Sequence, residues 1–209
     1  MIIDYINGAR TDKVFGYKRV QDELHKRLPK HITINKIEYT PSENIILQSV
    51  KLFLTYPLNI FFRTHKKRIK HLTSPDVAYL LNIFRFKKTL VSCYDLISYH
   101  RINDFSGLRK FFIKQNYKGV LKADHILTIS EYSKQDIIKT LGYPSDRISV
   151  IYPCVDLEKY YPHRSRAILK KHHITNEKIV LYVGSEEPRQ NVDKIIKAFK
   201  KYQHNVESH

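Results

Sequence analysis

The stretch KIVLYVGSEEPRQNVDKIIKAF, residues 178–199, reads as an apolar strand, a turn and an amphipathic helix. That order can hold a phosphate, because the first turn of a helix presents unpaired N–H groups and the positive end of its dipole. A second polar loop, CYDLISYH (93–100), overlaps the end of the β-rich run KTLVSCYDL. A third, NGARTDKVFG (7–16), follows the short apolar run IIDYI. In a parallel α/β sheet ligands bind outside the carboxyl ends of the strands, where all three loops fall. Other chemistries lack their residues. The eleven His form no HxxxH or HxH pair, so no structural zinc is expected, and no spacing supports a Ser-His-Asp nucleophile.

The elements that must position these loops alternate. IIDYI, HITINKIEYT, KTLVSCYDL, ADHILTIS, DRISVIYP and KIVLYVG have the apolar or alternating character of strands. Between them, YKRVQDELHKRL places Val20, Leu24 and Leu28 on one helical face. Pro75 is suited to start a helix over PDVAYLLNIF. FSGLRKFFIKQNYKGVLK is a basic amphipathic helix expected to turn Leu108, Phe111, Phe112 and Tyr117 to a core. In EYSKQDIIKTLG, Ser130 is the expected N-cap and Gly142 the C-terminal stop. Strands alternating with helices imply an α/β fold, a parallel sheet with helices on both faces.

Composition bounds the rest. The 209 residues are 42% hydrophobic and 12% aromatic, enough for a globular core rather than disorder. Lys and Arg number 37 against 20 Asp and Glu, a net charge of +17 that draws anions. The densest run, RTHKKRIK (63–70), is either a solvated loop or a dedicated anion site, the loop being the plainer reading. Two cysteines, Cys93 and Cys154, form no disulfide framework, and Cys154 is expected to be a small, partly buried residue; a reducing, cytoplasmic setting is expected. The start, MIIDYINGAR, lacks the basic and apolar regions of a secretion signal. The longest apolar region, Ile45 to Phe62, is interrupted by Gln48, Lys51, Pro57 and Asn59, too polar to span a membrane. A partly buried helix is the plainer reading and a peripheral membrane contact the sharper one.

The segment ADHILTISEYSKQDIIKTLGYPSDRISVIYPCVDLEKYYP, followed by YVGSEEPRQN and its helix, resembles family-4 glycosyltransferases. KKTLVSCYDLISYH resembles that family's strand and loop bearing a His-Asp pair. The resemblance is strongest from Thr89 to Phe199 and looser from Ile2 to Thr73. It implies a GT-B fold: a Rossmann-like N-terminal domain over 1–155, a linker over 156–177, and the truncated start of a nucleotide-sugar-binding α/β domain over 178–209. It further implies sugar transfer from a nucleotide-sugar to a glycan or lipid-linked acceptor, with retention and with no cofactor or metal beyond the donor.

By register with the family, Tyr94 and Asp95 are the expected catalytic contacts, with tyrosine standing in the histidine's place. Gly16, Ser185, Arg189 and Gln190 are the expected donor-phosphate residues, Ser185 and Gln190 replacing basic or small groups. Cys154 stands where the family usually has glycine. No counterpart of the family's later acidic pair can be placed in KKYQHNVESH, so this chain alone is expected to have little activity. Two alternatives stay open: a subunit completed by a partner chain, and a non-catalytic module for anionic lipid. Nucleic acid ranks last, since no recognition helix or aromatic-basic platform stands out.

Overall fold

The computed structural model describes residues 1–8, 15–39, 42, 44–158, 160–162, 167–175, 179–184 and 190–207. They fall into two compact units, Met1–Val155 and Asp156–His209.

The first unit is built on six parallel strands: β1 (Ile2–Ile6), β2 (Thr33–Ile37), β3 (Ile69–Leu72), β4 (Thr89–Ser92), β5 (His125–Thr128) and β6 (Ile148–Val150), in the order β2-β1-β3-β4-β5-β6. The expected α/β architecture is therefore present, a Rossmann-like sheet. One apolar side chain per strand sits in a single register row: Ile37, Ile6, Leu72, Val91, Ile126 and Ile148. All six are buried in one cluster with residues of α3 (Tyr56–Arg63), α4 (Leu80–Ile83), α6 (Gly107–Val120) and α7 (Glu131–Leu141). Alternation puts Tyr5 and His71 on the opposite face. There α1 (Phe15–Lys26) packs, with His25 edge-on to Tyr5 at 4.1 Å. Helices thus cover both faces.

The run from Ile45 is α2 (Ile45–Val50), a π-helical turn over Lys51–Thr55, and α3. Pro57 lacks the N–H that would bond the Leu52 carbonyl across the wider turn. The Tyr79 hydroxyl donates to Leu52 O instead, at 2.6 Å. Between α3 and α6 lies the short α5 (Ile97–His100). Helix α7 has its expected ends: Ser130 Oγ accepts from Ser133 N at 3.0 Å, and Gly142 has φ 66°. The alanine-aspartate pair of the resemblance is structural. Asp124 accepts from Thr89 N at 2.8 Å, and Ala123 O accepts the Tyr143 hydroxyl at 2.7 Å.

The basic run 63–70 lies at the amino-terminal end of the sheet and is partly internal. Buried Asp4 accepts from Asn35, from His65 N and from Arg68 at 2.8, 3.1 and 3.2 Å. Lys70 is 1% exposed, its ammonium donating to the carbonyls of Lys66, Arg68 and Lys87.

Three expectations fail for physical reasons. In α6, Tyr117 is buried, but Leu108 and Phe111 are 77% and 53% exposed because only the last turns of this helix meet the core. Cys154 is exposed, its sulfur accepting from Arg27 at 3.4 Å. Residues 179–184 form no strand, since the described part of their unit offers α8 (Ala167–Lys171) and α9 (Val192–Glu207) but no strand to pair with.

The backbone of α6 passes so close to Ala78 that a Cβ on Gly119 would collide with its carbonyl. Gly119→Ala should therefore destabilise the chain by about 3 kcal/mol, read as a lower urea midpoint at unchanged slope.

Candidate functional site

The carboxyl ends of β1, β3, β4 and β5 deliver Asn7–Gly8, Thr73–Ser74, Cys93–Asp95 and Ile129–Ser130 to one edge. The loops are drawn together by side-chain to backbone bonds. Thr73 Oγ1 donates to Ile6 O, Gln21 donates to Thr73 O at 3.0 Å, and the Tyr56 hydroxyl donates to Asn7 O. Gly8 packs close against Ser74: a Cβ there would lie 2.8 Å from Ser74 Oγ, so that hydroxyl would have to shift.

Tyr94 is buried at this edge while Asp95 is exposed. Asp95 Oδ1 accepts from Ile97 N at 3.1 Å, so its carboxylate shapes the turn into α5. Burial pushes the Tyr94 phenol up, and the nearby Ser92 hydroxyl partly offsets this. Ser92 also bonds His71 Nε2 at 2.8 Å. Tyr5 and His71 touch edge-on at 4.6 Å, so Tyr5, His25, His71, Ser92 and Tyr94 make one polar cluster beneath the edge. Burial, then the neighbouring His25, lowers His71 from 6.5 to about 3, so it is neutral at physiological pH. Burial raises the Cys93 thiol, which therefore stays protonated and is no nucleophile. His100 is committed to Asp136 of α7, at 2.9 Å.

Beside this edge, a pocket of about 260 Å³ opens between the end of β2 and the helical run, lined by Glu38, Tyr39, Lys51, Thr55, Tyr56 and Asn59. Asn7 Nδ2 donates to Glu38 at 3.3 Å and so joins pocket to edge. Asn7 Oδ1 and Thr128 Oγ1, at the ends of β1 and β5, are buried without a hydrogen-bond partner among the described residues. Such groups cost stability, and their place at this edge is where a ligand would use polar atoms. Sequence reasoning treated Lys51 and Asn59 only as interruptions of an apolar stretch. Their spacing with Thr55, four residues each way, was the available signal of one polar helical row.

Of the expected donor residues, Gly16 lies in the first turn of α1, at the end of the loop from β1, and Gln190 is half-buried just before α9. Ser185 and Arg189 lie outside the described residues. Among the described residues no group of three or more His, Cys, Asp or Glu could hold a metal ion.

The family model described as Glycosyltransferase Family 4 matches residues 42–159. Curated proteins are similar over shorter stretches. The O-antigen chain mannosyltransferase B of Escherichia coli is 32% identical over 94 residues, 43% of this chain and 24% of that protein. The putative glycosyltransferase YtcC of Bacillus subtilis (strain 168) is 25% identical over 128 residues, 58% of this chain and 31% of that protein. The serotype-specific mannosyltransferase WbdA of Escherichia coli is 25% identical over 148 residues, 60% of this chain and 18% of that protein. The chain therefore matches well under half the length of each.

The histidine pair makes the stability of this unit sensitive to acid. The folded His71 value of about 3 lies below the ordinary 6.5, so the unfolded chain takes up the proton first. The contribution of His71 is whole above pH 6.5 and is lost as pH falls towards 3, at about 1.4 kcal/mol per pH unit. Burial, then Lys36, lowers His25 as well, adding in the same direction. Unfolding free energies from urea titrations taken from pH 7 downward should fall with that slope, and His71→Gln should flatten it.

Proposed function

The chain belongs to glycosyltransferase family 4, and on that premise we propose that it transfers a sugar from a nucleotide-sugar to a hydroxyl acceptor with retention of anomeric configuration. In that reaction the bond from C1 of the sugar to the diphosphate breaks and the acceptor oxygen bonds C1. The acceptor's proton leaves with the nucleoside diphosphate.

One observation carries this reading for the first unit: the pocket beside the carboxyl edge is walled by Tyr39 and Tyr56 and set with Glu38, Thr55 and Asn59. Aromatic walls with a carboxylate, a hydroxyl and an amide suit a sugar ring, whose hydroxyls both donate and accept. The pocket has room for such a ring rather than for a whole nucleotide, which favours it as an acceptor site. Glu38 is exposed at the rim and accepts from acceptor hydroxyls, while Lys51 and Asn59 donate to their oxygens.

Tyr94 and Asp95, at the end of β4 on the same carboxyl edge, contact the transferred sugar in this reading. Gly16, Ser185, Arg189 and Gln190 serve the diphosphate, whose oxygens gain charge as it leaves and need N–H, hydroxyl or guanidinium donors. His71 and Ser92 hold the Tyr94 loop from behind as positioning residues.

The test is a panel of UDP- and GDP-sugars, GDP-mannose included because two of the similar proteins are named mannosyltransferases, incubated with glycan and lipid-linked acceptors. Released nucleoside diphosphate and the anomeric configuration of the product are read. Absence of both binding and turnover across the panel, or inversion at C1, overturns the proposal. Glu38→Gln should raise the acceptor KM about tenfold with kcat little changed, and Tyr94→Phe should lower kcat/KM about tenfold.

A further inference from the structure

The helical run from Ile45 to Arg63 carries three rows spaced by about one turn. Leu52, Tyr56 and Ile60 face the core, and Lys51, Thr55 and Asn59 line the pocket. Val50, Leu54 and Leu58 form the third row, continued by Phe61 and Phe62. A surface helix ordinarily turns a polar face to water. This one turns an apolar face outward: Leu54 is 56% exposed, Phe61 58% and Phe62 78%.

Ring contacts extend the row sideways. Phe53 stacks on Phe112 at 4.7 Å, Phe61 on Phe84 at 5.9 Å, and Phe84 on Phe86 at 5.0 Å. These lead to exposed Ile83 at the end of α4 and to exposed Leu108 and Phe111 at the start of α6. A continuous apolar surface of this kind marks an interaction site rather than scattered surface residues.

Its surroundings are cationic. Between Asn44 and Tyr94 the chain has nine Lys or Arg and one acid, Asp76. A groove of about 620 Å³ opens at the end of the row, with Phe61, Phe84 and Phe86 as apolar walls and Lys66, Arg85 and Lys87 as cations.

We propose that this face is a docking surface for an anionic lipid bilayer. The leucine and phenylalanine side chains enter the boundary between headgroups and acyl chains, and the groove receives phosphate headgroups against its cations. Charge complementarity selects this occupant. A second copy would bring the same positive sign to the contact, and a nucleic acid would match the charge but leave the apolar row in water. Among the described residues no helix is long and apolar enough to cross a membrane, and the binding is of a helix lying on the surface. The pocket row lies on the same helix, so docking holds the pocket close to the bilayer surface.

The intact chain is sedimented with phosphatidylcholine vesicles, with and without phosphatidylglycerol, over a salt series and with no sugar donor. The outcome is thereby independent of the transfer reaction. Binding to the anionic vesicles should exceed binding to the neutral ones at least about tenfold and weaken with salt. The double variant Leu54→Ser, Phe62→Ser and the triple variant Lys66→Glu, Arg85→Glu, Lys87→Glu should each lower it about tenfold. The chain has no tryptophan, so Phe62→Trp gives a single reporter whose emission should shift to the blue on anionic vesicles. No vesicle binding, or an unshifted reporter, overturns the proposal. So does binding that the charge variant abolishes and the apolar variant leaves intact, which would be diffuse attraction to a basic protein. Self-association removed by the apolar variant without any vesicle binding assigns the face to a second copy and also overturns it.

Discussion

The row Ile37, Ile6, Leu72, Val91, Ile126 and Ile148, one buried side chain from each strand in direct register, is the constraint on which the first unit depends. Because side chains alternate along a strand, a slip of one residue would turn a strand's apolar side chain to the opposite face. Holding six strands in that register also aligns their carboxyl ends, so Asn7, Thr73, Ser92 and the Tyr94 loop arrive at one edge. The candidate site is a consequence of how the core is paired.

The two faces of the sheet then differ in kind. The face with the apolar row is packed by α3, α4, α6 and α7. The face of Tyr5 and His71 carries a polar cluster under α1, to which the helix contributes Gln21 and His25. Buried polar groups demand partners, and here the partners are the strand ends themselves: Gln21 on Thr73 O, His71 on Ser92. The cluster fixes loop geometry at the edge and leaves a neutral imidazole whose protonation works against folding. The amino-terminal end has the opposite task. There Asp4 and the carbonyls around Lys70 absorb part of the positive charge of residues 63–70, so part of that run is internal framework, while Lys66 remains exposed at the groove.

Much of this was legible before folding was considered. Five of the six strands of the first unit, the Ser130 cap, the Gly142 stop and the family resemblance follow from local signals of period, capping and motif; β3 does not, because it begins inside the basic run that reads as a solvated loop. Those signals act within a few residues, which is why they can be read along a chain. Where they missed, a long-range partner decided. Leu108 and Phe111 look like core residues by spacing, yet α6 meets the core only at its later turns. Residues 179–184 have the composition of a strand and no described neighbour to pair with. Lys51 and Asn59 read as breaks in an apolar helix, and the end of β2 makes them, with Thr55, the wall of a pocket.

The amino-acid sequence by itself determined most element types of the first unit, the parallel α/β class and the family, because these rest on periodicity and on motifs contiguous in the chain. Only the tertiary structure decided which polar residues share an edge and which of the basic residues are held by Asp4 and carbonyl oxygens. It also decided which apolar residues of the Ile45–Phe62 run stay in water. Those are questions of which surfaces meet. A helix with apolar residues on two sides does not say in its own sequence which side the core will take.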